Sequence, residues 1–101
     1  MAREGPTSEV TAFDGSVEIV LPESPTTGYR WELESENNRA HVAGSIFEEI
    51  RSSERLAGGS GMRIFHLDVL GTEPLRLTFG LRRQWDPEPI ERRAVEVTFA
   101  D

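Results

Sequence analysis

The chain has 101 residues, eleven basic and eighteen acidic for a net charge of −7, and no cysteine. Domains of about 100–150 residues are common, so this length fits one domain with a single core. Disulfides and thiolate metal sites are excluded, which leaves the redox compartment open, and the acidic balance argues against a nucleic-acid partner.

The first eight residues, Met1 to Ser8, show no apolar signal core and read as a flexible tail to a domain covering residues 1–101. Val10 to Phe13 is a short candidate strand ahead of an Asp14-Gly15 turn. Val17, Ile19 and Leu21 then alternate with Ser16, Glu18 and Val20, the period-two pattern of a half-buried strand. After the turn residues Pro22 to Gly28, Tyr29, Trp31 and Leu33 alternate with Arg30, Glu32 and Glu34. The stretch from His41 to Ile50 fits another strand, while Ser45 to Arg55, with Ile46, Phe47 and Ile50, also fits a helix. Beyond a glycine-rich loop, Phe65, Leu67 and Val69 oppose Arg63, His66 and Asp68. Leu75, Leu77, Phe79 and Leu81 alternate with Arg76, Thr78, Gly80 and Arg82, and Val95, Val97 and Phe99 close the chain. About seven short strands divided by Gly, Pro, Asn and Asp turns predict an all-β, antiparallel β-sandwich.

No apolar run approaches the roughly 20 residues of a membrane helix, so no membrane partner is expected. As written, the chain reads as soluble and not exported, although a trimmed form of an exported protein would read the same way. All eleven basic residues are arginine. That bias fits a GC-rich genome, and a bacterial source is expected.

Three loops carry unusual chemistry. In Ser24-Pro25-Thr26-Thr27-Gly28, proline fixes one dihedral and glycine permits a positive φ before the aromatic strand. The two threonines have few rotamers to lose on immobilisation. Gly58-Gly59-Ser60-Gly61 has almost no side chain, so its backbone can approach another surface closely. Arg83-Gln84-Trp85 leaves the strand alternation and precedes Asp86-Pro87, placing a residue type enriched at binding hot spots in a polar loop. Taken singly, each loop also fits a rigid corner, a plain hairpin turn or a cap on the sandwich. Trp31, in register on a strand face, reads as core. Counting strands, the three loops follow the second, fourth and sixth, which places them at one end of the sandwich.

In order and spacing these segments resemble the chagasin-type inhibitors of papain-like cysteine proteases. That family carries an N-P-T-T-G-(F/Y)-x-W motif, a G-x-G-G loop and an R-P-W loop. Ser24 to Trp31 departs from the first motif only at Ser24. Gly58 to Gly61 departs from the second at Ser60, and Arg83-Gln84-Trp85 from the third at Gln84. The resemblance covers about residues 8–100 and implies an immunoglobulin-like sandwich. It also implies reversible, non-covalent blocking of a protease cleft. Nothing in the sequence marks an oligomeric state, so a monomer is the default expectation, and no cofactor or metal is expected. Ser24, Pro25, Thr26, Thr27 and Gly28 would enter the middle of the cleft. Gly58, Gly59, Ser60 and Gly61 would line one arm, and Arg83, Gln84 and Trp85 the other. Losing the proline at Gln84 is expected to leave that loop less preordered.

Two other classes compete. A generic immunoglobulin-like interaction module would use the same tip on a partner that is not a protease, and a protease outside the papain family is a related possibility. An enzyme lacks parts: there is no cysteine and no G-x-S-x-G elbow, and the only histidines are His41 and His66. Glu48, Glu49, Glu88 and Glu91 read as solvated surface rather than a catalytic pair. His66 and Asp68 share a strand face but are too few for a metal site.

Overall fold

Alternation in the sequence becomes alternation in burial. Along Ser16–Glu23 every second residue points inward, so Val17, Ile19 and Leu21 are buried while Glu18 and Val20 are exposed. The computed structural model describes residues 3–24, 27–34, 38–49 and 61–100. Among them, eight strands are found: β1 (Arg3–Glu4), β2 (Ser8–Ala12), β3 (Ser16–Glu23), β4 (Arg30–Leu33), β5 (Ala40–Glu49), β6 (Gly61–Val69), β7 (Leu75–Arg82) and β8 (Glu91–Phe99). One sheet has the order β4-β7-β8, with β1 and β2 both on the far side of β8, and the other has the order β3-β6-β5.

Between the sheets, Val17, Ile19, Leu21, Phe65, Leu67 and Val69 meet Trp31, Leu75, Leu77, Phe79, Val95 and Val97. The rings of Phe65 and Phe79 join the two layers, with centres 5.0 Å apart and planes inclined by 42°. Each such side chain contributes about 1.5–3 kcal/mol on burial, and without cysteine this core stands in place of staples.

The sandwich expectation holds, with three differences of detail. There are eight described strands rather than about seven, and two pairings are parallel, β1 and β2 each running alongside β8. The N-terminal segment read as a tail is therefore placed along β8, with Arg3 N–H donating to Ile90 O and Gly5 N–H to Arg92 O. Pro6, which has no N–H, falls in the gap between β1 and β2. Ser45 to Glu49 belongs to β5, so the helix alternative fails there, and residues 50–55 lie outside the described residues. β5 is an edge strand, mostly exposed and bulged between Val42 and Gly44, a device that blunts edge-to-edge pairing.

Candidate functional site

Register fixes where the three loops emerge. Glu23 at the end of β3 lies opposite Gly61 at the start of β6, which in turn lies opposite Glu49 at the end of β5. In the other sheet Arg30, the first residue of β4, lies opposite Arg82, the last of β7, and Leu81 lies opposite Glu91, the first of β8. The strand ends that flank 24–29, 50–60 and 83–90 therefore lie at the same end of the sandwich.

The threonine loop is closed at its base by Trp31. Its indole Nε1–H donates to Pro22 O at 2.6 Å, and its backbone N–H to Glu23 Oε2 at 3.3 Å, so β4 is tied across the layers to β3. Glu23 continues the inward register of Val17, Ile19 and Leu21, and its side chain is fully buried. Arg63, which shares the inward face of Phe65 rather than lying opposite it as its charge suggested, compensates Glu23 with Nη2 at 2.8 Å, and its guanidinium also stacks over Phe47 at 5.6 Å. Above this base, the Thr27 backbone N–H and Oγ1–H both donate to Ser24 O, at 3.1 and 2.7 Å, and Thr27 Oγ1 accepts from Tyr29 N–H at 3.3 Å. Because the carbonyl of residue 24 accepts these bonds, serine there in place of asparagine leaves them intact. Gly28 has φ +82°, the left-handed region that glycine enters at little cost. Pro25 and Thr26 lie outside the described residues.

The tryptophan loop is built round Arg83. Its guanidinium lies 4.9 Å from the centre of the Tyr29 ring and 5.3 Å from that of Trp85, so one cation contacts an aromatic from each of two loops. Asp86 Oδ2 accepts from the Arg83 backbone N–H at 3.2 Å and from its Nε–H at 3.1 Å. The Asp86 N–H returns a bond to Arg83 O at 3.0 Å, closing a four-residue turn. Arg82 Nη1–H donates to Asp86 O, and Arg82 Nε–H to Glu32 on β4, each at 2.8 Å. The side-chain hydrogen bond from Arg83 holds the Asp86 carboxyl below its ordinary range and pushes the Arg83 pKa up in turn. Trp85 itself is 71% exposed, and Gln84 is exposed beside it.

Of the glycine loop, Gly58, Gly59 and Ser60 lie outside the described residues. Gly61 is not a free loop residue but the first residue of β6, and it is buried. A Cβ there would run into Glu48 O and the Phe47 ring, so its glycine serves packing at the root of the loop.

Sequence reasoning missed Glu23, Tyr29 and Asp86. Glu23 carried a signal, because it occupies the next inward position after Leu21. Asp86 carried a weaker one, a carboxylate three residues after an arginine across a turn. Away from the tip, His66 Nδ1 lies 3.5 Å from Glu18, with both side chains largely exposed. Among the described residues, no cluster of three or more His, Asp or Glu is arranged to hold a metal ion. Glu91 is not solvated surface: it is buried and accepts from Arg3 at 3.0 Å and Arg93 at 2.7 Å. Burial pushes its pKa up, and the hydrogen bonds from Arg93 and Arg3 outweigh that, leaving it below the usual carboxylate range.

The sequence model of the family described as chagasin family peptidase inhibitor I42 matches residues 11–99. Among curated proteins, none matches the chain by sequence. Several solved structures share the fold, and three illustrate the likeness. The cysteine protease inhibitor EhICP2 from Entamoeba histolytica is 20% identical, with a TM-score of 0.72 over 98% of this chain and 88% of its own. Amebosin, solved in solution, is 20% identical, with a TM-score of 0.65 over 99% of this chain and 100% of its own. PbICP-C, solved in complex with falcipain-2, is 16% identical, with a TM-score of 0.56 over 99% of this chain and 94% of its own.

Proposed function

Because the chain belongs to the chagasin family of peptidase inhibitors, we propose that it is a reversible, non-covalent inhibitor of papain-like cysteine proteases that blocks the active-site cleft. One observation carries the reading beyond membership. The threonine and tryptophan loops stand together at one end, joined through Arg83, with Trp85 71% exposed above them. In this proposal Ser24 to Gly28 enter the middle of the cleft and cover the catalytic cysteine and histidine. Gly58, Gly59 and Ser60 follow one arm through main-chain bonds, with Gly61 anchoring that loop in β6. Arg83, Gln84 and Trp85 pack on the other arm. The same class of target is met by EhICP2, a cysteine protease inhibitor, and by PbICP-C in its complex with falcipain-2.

Physically this is a preorganised wedge. Loops held at both ends by a sandwich, and bonded internally as at Thr27 and Asp86, have little ordering entropy left to lose on binding. An interface of about 1,600 Å² is expected, made by a monomer, one inhibitor to one protease. No bond is formed with the enzyme, so inhibition relaxes on dilution. An interaction module with a partner that is not a protease would present the same exposed tip, so membership of an inhibitor family is what favours the inhibitor.

Titrating active papain with the folded domain, and following hydrolysis of a small fluorogenic substrate, tests the proposal. Stoichiometric or competitive loss of activity that returns on dilution is the expected outcome. Full activity at micromolar concentrations of domain, against papain and a cathepsin alike, contradicts it.

A further inference from the structure

Gln84 stands where the family's R-P-W loop has proline, and proline there would preorder the loop by fixing φ. The residue occupies the second position of the turn Arg83–Asp86, closed by the Asp86 N–H to Arg83 O bond at 3.0 Å. That is the position at which proline is favoured in the commonest turns. Trp85, the third residue, has no positive φ, so the turn makes no demand that only glycine could meet.

We propose that the Asp86 carboxylate replaces the absent proline, fixing the turn that presents Trp85 and locking it to the threonine loop through Arg83. This rests on the inhibitor reading only for the part that concerns binding. Asp86 Oδ2 grips both the backbone and the side chain of Arg83, so it sets the first residue of the turn and the direction of the guanidinium at once. The guanidinium so aimed lies against both Tyr29 and Trp85. Its aliphatic stem runs close to Gly28, where even a Cβ would be in van der Waals contact. Arg82 holds the other side of the turn, bonding Asp86 O and Glu32 of β4. A proline fixes one dihedral of one loop. This cluster fixes the turn and also couples it to the neighbouring loop. Asp86 is thus a positioning residue, acting through Arg83 and Trp85 rather than on the protease.

The test uses Asp86→Ala, Gln84→Pro and the double variant, each with two readouts. The first is protease-free: the heteronuclear NOE of the Trp85 indole N–H in ¹⁵N-labelled domain. The second is the inhibition constant against papain. Asp86→Ala is expected to lower the NOE and to weaken inhibition about tenfold, the scale of an added ordering cost at an interface, with the thermal midpoint unchanged. Gln84→Pro added to Asp86→Ala is expected to restore most of both, measured against Gln84→Pro alone as the reference that carries any direct effect of losing the glutamine. An unchanged indole NOE in Asp86→Ala overturns the proposal. So does weakened inhibition that proline fails to restore, because Asp86 then acts by touching the protease. Should the parent domain not inhibit papain at all, the inhibitor reading fails, and the indole readout still decides whether Asp86 orders the loop.

Discussion

Trp85 leaves 71% of its surface in solvent at the loop tip, and tryptophan is among the residue types most enriched at binding hot spots. Trp31, by contrast, is 4% exposed and works inside the fold. Trp85→Ala is therefore expected to cost about 2–4 kcal/mol of protease binding, the hot-spot range, with no loss of thermal stability. An unchanged inhibition constant for the folded variant would remove the role assigned to this residue. Glu91 makes the opposite kind of contribution. Its pKa in the folded domain lies below its ordinary value of 4.5. Its ion pairs thus stabilise the fold above about pH 4.5 and cease to do so as the pH falls through the folded value. Acid unfolding followed by circular dichroism should show Glu91→Gln less stable than the parent at neutral pH, with the two curves converging in acid. Parallel curves would assign the acid loss to other carboxylates.

At the scale of elements, the tip depends on how β3, β4 and β6 are joined. Glu23 receives the backbone N–H of Trp31 from β4 and the guanidinium of Arg63 from β6, so one buried carboxylate fixes three strand ends. Removing one partner of a buried pair leaves the other uncompensated, at a cost of about 3–5 kcal/mol. Glu23→Ala should show that loss in urea unfolding, a large share of the roughly 5–15 kcal/mol typical of a domain. A loss below about 1 kcal/mol would mean that water satisfies Arg63 and that the carboxylate is dispensable. β7 and β8 supply the other half of the tip, and their hairpin is closed by Ile90 N–H donating to Leu81 O at 2.8 Å.

For the whole molecule, the sandwich and its polarity were legible because burial follows the period-two alternation. Leu75, Leu77 and Phe79 face inward as their spacing requires, and strand parity alone places the three loops at one end. What was hidden depends on contacts between residues distant in sequence. The parallel pairing of β1 and β2 with β8 joins the two ends of the chain, and no local pattern announces it. The stacking of Arg83 on Tyr29 likewise needs two loops to be placed in space first. Nor can the bonds from Asp86 that close the turn around Gln84 be seen by reading that position alone. Among the described residues, the tip joins the threonine loop to an exposed tryptophan through Arg83, on a small acidic scaffold, and the account stands on that surface covering a protease's catalytic thiol.

The most direct measurement is the rate at which a small alkylating reagent modifies the catalytic cysteine of papain, with and without saturating domain. The domain has no cysteine of its own, so the reagent reports on the protease alone. The account predicts protection that saturates at one domain per enzyme and is lost on dilution. Alkylation at the uninhibited rate, under conditions where gel filtration shows the complex formed, would place the domain away from the cleft and contradict it.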